Sequence, residues 1–250
     1  MFSVKNLSFA YDNKDVLSSV SLEICSGFVS IIGPNGSGKT TLLKLMTGFL
    51  DAKADTIEMN GKALSKISIR ERAKIFTVIN QLQRFTFPFS CMEMVSLGRY
   101  PYKRNINALS ALDYEVIIEC MKDTEVLQFK DKLITDISGG EQQRVVLACA
   151  LAQKTQVLFL DEAFSALDIS HKARIVRLLK EKVDKEGLTV IAIMHDLNIA
   201  YRYSDKVCIL DEGKVAAFDE PQKAMTKQTI AKVFDVDIDL VEGKGFFINI

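Results

Sequence analysis

Ile31-Ile32-Gly33-Pro34-Asn35-Gly36-Ser37-Gly38-Lys39-Thr40-Thr41-Leu42-Leu43 is the stretch on which the reading of this chain turns. A short apolar run, Phe28 to Ile32, precedes the glycines and predicts a buried strand. Residues Gly33 to Thr40 match G-x-x-x-x-G-K-[ST] at every fixed position, and Leu42, Leu43, Leu45 and Met46 then recur at helical spacing. Strand, glycine loop and helix in that order is the context that gives the pattern meaning. Glycines let a backbone wrap a polyphosphate with its N–H groups turned inward. A helix starting at the loop's end adds its own N–H groups and the positive end of its dipole. Lys39 is placed to reach the β- and γ-phosphates, and the Thr40 hydroxyl to ligate Mg²⁺. Gly33, Pro34, Asn35, Gly36, Ser37, Gly38, Lys39, Thr40 and Thr41 are therefore the predicted nucleotide cradle. A turn that merely capped a helix would have no use for the lysine and threonine.

The chain has 250 residues, enough for one large domain or two small ones. Its 32 basic and 32 acidic side chains cancel, which argues against bulk binding of nucleic acid. Cys25, Cys91, Cys120, Cys149 and Cys208 are odd in number and widely spaced, and read as small core residues in a reducing compartment. His171 and His195 are the only histidines, so a histidine-rich metal site is excluded. No apolar run approaches the about 18 residues of a membrane span, and the N-terminus lacks the apolar core of a signal peptide. The expectation is a soluble, cytoplasmic protein, which leaves a membrane partner open.

Taken in order, Phe2–Leu7 and Val20–Ile24 alternate apolar with polar residues and predict a β-rich start, broken by the turn residues Asp12 to Asp15. Tyr11 sits beside that break and reads as a half-buried strand aromatic. Thr56–Met59 predicts a strand entering a tight turn at Asn60-Gly61, and Ile75–Ile79 another strand leading to Gln81. Helical periodicity takes over from about Asn107 to Leu127, which places a helical subdomain at about 88–153, inserted between two core strands. Val157–Leu160 is apolar throughout, as a strand buried on both faces would be, and ends at Asp161-Glu162. Asp168 predicts an N-cap for a helix over 169–186, with Ile169, Val176, Leu179 and Val183 as its apolar stripe and Gly187 as its stop. Thr189–Met194 is a third buried strand, ending at His195. Val207–Leu210 and Val215–Phe218 form a hairpin, and 221–250 short helices and one final strand. Strands alternating with helices imply an α/β sheet, mostly parallel, whose ligands sit beyond the carboxyl ends of the strands.

Asp161 is the expected second Mg²⁺ holder, and Glu162 the expected general base for a water in line with the γ-phosphate. Ser138-Gly139-Gly140-Glu141-Gln142 opens a second helix suited to an anion. Ser138 and Glu141 alone would make a capping box, but a capping box needs no glycine pair. Spacing does not say whether both helix starts serve one nucleotide within one chain.

The order of the Gly33–Thr40 loop, Gln81, Ser138–Gln142, Val157–Glu162, Ser165-Ala166-Leu167-Asp168 and His195 resembles an ABC-transporter ATPase subunit over essentially the whole chain. The resemblance implies a P-loop NTPase (RecA-like) α/β core with a mainly parallel sheet, an N-terminal antiparallel β subdomain and an inserted helical subdomain carrying Ser138. It implies ATP and Mg²⁺, and a second copy docked head-to-tail, so that Ser138, Gly139, Gly140 and Gln142 reach the nucleotide in the other subunit's loop. Tyr11 would stack on adenine, Gln81 would sense Mg²⁺ and the attacking water, Asp168 would lie at the dimer contact, and His195 would hold the γ-phosphate. Gln83 rivals Gln81, and only spacing prefers the latter. Ile137, Ala163-Phe164 and Cys149 depart from the usual leucine, proline-threonine and arginine, without removing a group the mechanism requires.

Phe87–Pro101, with Gly98-Arg99-Tyr100-Pro101, His195-Asp196-Leu197-Asn198 and Val233–Val236, is similar to the ATPases of importers for iron-siderophores, haem and cobalamin. That group implies separate permease subunits, an indirect link to a substrate-binding protein, and a place on the cytoplasmic face of the membrane. The stretch 87–101 lies where such ATPases touch the permease; the alternative is that its aromatics fill a subdomain core. The competing functions are the ATPase of another ABC transporter, or a non-transport ABC ATPase acting on nucleic acid or the ribosome.

Overall fold

Phe28 to Ile32, the apolar run that precedes the glycines, is a strand with all five residues buried. The computed structural model describes residues 1–12, 14–53, 56–80, 85–102, 109–163, 167–241 and 245–248. In chain order the elements are β1 (Phe2–Tyr11), β2 (Lys14–Ile24), β3 (Phe28–Ile32), α1 (Lys39–Met46), β4 (Ile57–Met59), β5 (Lys62–Ala63), α2 (Ile69–Ile75), β6 (Phe76–Ile79), α3 (Cys91–Ser96), α4 (Ala111–Asp123) and α5 (Gly139–Ala152). They continue with β7 (Val157–Asp161), α6 (Ile169–Glu186), β8 (Thr189–Ile193), α7 (Leu197–Tyr203), β9 (Lys206–Asp211), β10 (Lys214–Asp219), α8 (Pro221–Ala224), α9 (Lys227–Phe234), β11 (Ile238–Val241) and β12 (Gly245–Ile248). The chain divides into two compact units, Met1–Ser68 with Thr189–Ile250, and Ile69–Leu188.

In the first unit, β2, β1, β4 and β5 form an antiparallel sheet. The turn joining β4 to β5 has positive φ at Asn60 and Gly61, the backbone a two-residue hairpin requires. A second run of strands is ordered β10-β9-β3-β8. There β3 is parallel to both β8 and β9, with Ile31 opposite Ile193 and Cys208, while β10 returns antiparallel to β9. The helix α1 buries Leu42, Leu43, Leu45 and Met46, and each such side chain contributes about 1.5–3 kcal/mol. The C-terminal segment is a two-stranded ribbon, β11 with β12, rather than the single strand expected. Four residues are long enough to pair but too short to announce themselves by alternation.

In the second unit, β6 and β7 run parallel, with Phe76 set edge-on to Phe159. Three of its helices start with a reciprocal capping box: Ser90 with Glu93, Ser110 with Asp113 and Ser138 with Glu141. The helix α6 has the predicted bounds, with Asp168 as N-cap and left-handed Gly187 at its end. Its buried stripe, however, is Ile175, Val176, Leu179 and Lys182; Ile169 is 88% exposed and Val183 only half-buried. The stripe begins a turn and a half into the helix, and a buried lysine extends it because Asp123 and Glu186 lie 2.8 and 2.9 Å from its ammonium. The cysteines are core residues at 91, 120 and 208, but Cys149 is half-buried and Cys25 exposed. A cysteine at a strand end falls outside the alternation that buries its neighbours.

Candidate functional site

The first unit holds the glycine loop, Tyr11 and His195. The loop joins the carboxyl end of β3 to α1. Gly36 has φ 81°, a conformation costly for any other residue, and a Cβ there would meet no atom within 4 Å. Lys39 is 6% exposed, and its ammonium donates to the carbonyls of Gly33 and Pro34 at 2.9 and 2.8 Å. The lysine is thus held across the loop it follows. The Ser37 hydroxyl is buried and, among the described residues, has no hydrogen-bond partner, which is costly for a polar group unless something else satisfies it. A buried cation, an orphaned hydroxyl and open backbone together fit a polyphosphate. Asn35 and Gly36 are exposed, and Pro34, Gly38, Thr40 and Thr41 half-buried.

Because β3 and β8 are parallel neighbours, the glycine loop and His195 leave the same edge. His195 is exposed, so it is not a core histidine. Tyr11 closes β1, 43% exposed, with its ring edge-on to Phe9 at 5.0 Å between centroids. The tyrosine is thus partly open to solvent.

The second unit holds the carboxylates and the serine–glycine helix. Asp161 ends β7, 6% exposed, and Glu162 follows with φ 51°. A non-glycine residue in the left-handed region is uncommon and turns the chain sharply just where the predicted base stands. Since β6 runs parallel to β7, Asn80 leaves the same edge; Gln81 and Gln83 lie outside the described residues, as does Ser165-Ala166. Ser138 caps α5: its Oγ accepts from the Glu141 N–H, and its own N–H and hydroxyl donate to Glu141 Oε2 at 2.7 Å. Those bonds pull the Glu141 carboxyl below its ordinary range. Gly139 and Gly140 form the first turn, and no atom lies within 4 Å of where a Cβ of Gly139 would stand. Gln142 donates from Nε2 to the carbonyls of Ile134 and Ile137, bracing the segment that leads into Ser138. Asp168 accepts from the His171 N–H at 2.8 Å and from the Ser170 hydroxyl at 2.9 Å, with His171 Nδ1 at 2.8 Å. The His171 amide first, then the two side chains, hold its carboxyl far below the usual carboxylate range.

The stretch 87–101 holds both exposed and buried side chains. Phe87 and Tyr100 are 70% and 68% exposed, so they do not fill a core. Arg99 is buried: Nε donates to Asp113 at 2.8 Å, a terminal nitrogen donates to the Ala152 carbonyl at 2.8 Å, and the guanidinium lies over the Tyr102 ring. A Cβ at Gly98 would collide with the Cys149 carbonyl, so glycine lets this stretch meet the α5 backbone directly. The sequence offered no signal for these two roles. Nor did it mark Glu125, whose carboxylate lies 3.6 Å from Arg144 on α5 and 3.0 Å from Arg174 on α6. Among the described residues, no cluster of three His, Cys, Asp or Glu side chains is assembled, and no helix is long and apolar enough to cross a membrane.

Comparison with known proteins places this geometry. The family described as ABC transporter matches residues 17–165. An uncharacterized ABC transporter ATP-binding protein of Bacillus subtilis (strain 168) is 39% identical over 94% of this chain, which spans 53% of that relative's length. The hemin import ATP-binding protein of Escherichia coli O157:H7 is 36% identical over 97% of this chain and 95% of its own length. Among solved structures, a dimeric bacterial ABC transporter cassette superposes with a TM-score of 0.75 at 27% identity, covering 88% of this chain and 99% of that one.

Proposed function

The chain belongs to the ABC transporter family, and on that premise we propose that it is the ATP-hydrolysing subunit of an importer for haem, an iron-siderophore or cobalamin. The observation that carries the reading is the glycine loop, where a buried ammonium, an orphaned hydroxyl and open backbone meet at one strand end. Lys39 neutralises the terminal phosphates, and the backbone N–H groups from Asn35 to Thr41 bind their oxygens. Tyr11 stacks on the adenine, a contact worth about 1 kcal/mol. The Thr40 hydroxyl and the Asp161 carboxylate would hold Mg²⁺, whose charge would offset that developing on the phosphate oxygens. This donor set suits a metal that takes one or two protein oxygens and completes its shell with phosphate and water.

Glu162 accepts a proton from water as the water oxygen bonds to the γ-phosphorus and the bond to the bridging oxygen of ADP breaks. His195 holds the γ-phosphate, and Gln81 senses the attacking water and the metal. Segment 88–153 acts as a helical subdomain, and its Ser138-Gly139-Gly140 start serves the nucleotide bound by a second copy in head-to-tail orientation. Asp168 lies at that contact. Two exposed aromatics, Phe87 and Tyr100, face a separate permease, through which the chain sits on the inner side of the membrane. The substrate class is supported by the hemin import relative and by the Gly98-Arg99-Tyr100-Pro101 pattern.

The test is Glu162→Gln. Turnover falls by about a thousandfold, nucleotide binding is retained, and ATP traps a dimer. Unchanged turnover in that variant removes the base assignment. Loss of haem, siderophore and cobalamin uptake on deletion, with copurification of membrane subunits, tests the transport reading. Uptake indifferent to deletion overturns it.

A further inference from the structure

His195-Asp196-Leu197-Asn198 is a four-residue pattern of which only the first member has a role above. The other members sit on α7. Asp196 caps that helix: its Oδ1 accepts from the N–H groups of Asn198 at 3.1 Å and Ile199 at 3.0 Å. The Asn198 side chain is bonded elsewhere. The Phe246 N–H donates to Asn198 Oδ1 at 2.7 Å, and Asn198 Nδ2 donates to the Phe246 carbonyl at 3.3 Å. One primary amide therefore satisfies both backbone groups of a residue in β12, as a neighbouring strand would.

Two further contacts make this a built clasp. Tyr201, one turn along α7, sets its ring edge-on to Phe246, with centroids 5.4 Å apart and planes at 85°. Gly245 has φ 119°, and a Cβ there would collide with Asn198 Oδ1. Phe246 itself is buried. The helix α7 has 7 residues, and helices that short do not hold themselves in water. Its orientation depends on what it packs against, and β12 is one such hold beside β3 and α8.

We propose that Asn198 is a positioning residue for hydrolysis: by clasping Phe246 it fixes α7, and α7 fixes the turn that carries His195. The C-terminal ribbon thereby becomes part of the catalytic apparatus without touching nucleotide. This rests on the role given to His195 above.

The experiment compares the full-length wild type with Asn198→Leu, Asn198→Asp, Gly245→Ala, His195→Ala and the double variant Asn198→Leu/His195→Ala. It measures kcat at saturating ATP, Kd for a non-hydrolysable ATP analogue, and melting temperature. Asn198→Leu and Gly245→Ala are expected to lower kcat by about tenfold, within the range that small misplacements cost, while Kd stays within about twofold. Asn198→Asp keeps the acceptor for the shorter bond and is expected to fall between wild type and Asn198→Leu. The double variant is expected to be no slower than His195→Ala alone, because the clasp acts only through that side chain. A merely structural role would lower the melting temperature and add its effect to that of His195→Ala. Full kcat in both Asn198→Leu and Gly245→Ala, or strict additivity, overturns the proposal. Should Asn198→Leu fail to fold, Gly245→Ala carries the same prediction. If His195→Ala turns over at the wild-type rate, the histidine role fails and the clasp falls with it. If His195→Ala is slow and the clasp variants are inert or additive, the clasp alone falls.

Discussion

The two helix starts that the sequence marks for an anion are built in opposite ways. At the start of α1, Gly38 stands in the left-handed region at φ 99° and offers no side-chain cap. At the start of α5, Ser138 and Glu141 cap the helix reciprocally. The first terminus leaves its satisfaction to whatever the glycine loop holds. The second is satisfied within its own chain and adds only a glycine pair over which another molecule can close. An anion site in constant use can dispense with a cap. One that served a second copy's nucleotide, as proposed above, would have to remain stable alone.

That contrast can be broken most directly at Lys39. Lys39→Ala is expected to weaken ATP binding by about a hundredfold, the loss of charge-assisted hydrogen bonds, whereas Ser138→Ala leaves it within about twofold. Equilibrium titration of both variants checks this, and a large loss of affinity in Ser138→Ala would show that α5 serves its own chain's nucleotide. A smaller effect sharpens the comparison. Ser138→Ala is expected to lower turnover by about tenfold while Ser110→Ala, which removes a cap of the same kind from α4, leaves turnover alone. Equal turnover in the two variants would reduce Ser138 to a cap. Smaller again is the stability cost: each substitution is expected to remove about 1 kcal/mol in denaturant unfolding, since both break one reciprocal box.

The smallest effect lies in acid. Hydrogen bonds from Ser110 and then Arg99 hold the Asp113 carboxyl down at about 2, against an ordinary value of 3.8. The folded form thus binds its proton more weakly than the unfolded one. The stabilisation is complete above the ordinary value and is lost as pH falls from about 4 to about 2. Asp113→Asn is expected to flatten the melting temperature in that window, measured against wild type by pH-resolved calorimetry.

Much of this was legible in the residues themselves. The glycine loop, the β7 strand with its two carboxylates, and α6 from Asp168 to Gly187 were readable because each combines a period with a stop signal. The Ser138 box was readable because its partners are three residues apart. What escaped reading depends on pairs distant in sequence. Arg99 meets Ala152 across 53 positions and Asn198 meets Phe246 across 48, and neither partner carries a local mark. The buried stripe of α6 was misplaced at both ends for a related reason. Periodicity gives a face, but only the neighbours decide where along the helix covering begins. The positive φ of Glu162 belongs to the same class, since nothing in the strand before it announces the bend.

The missing side chain at Gly98 has a mechanical consequence. The segment that ends in the exposed Tyr100 comes so close to α5 at Gly98 that the Cys149 carbonyl stands where a Cβ would be, with the Ala152 methyl beside it. Interiors packed this tightly shift as blocks instead of deforming. If that segment meets a permease, as proposed above, a push on it would bear on α5, the helix that begins at Ser138, with little slack.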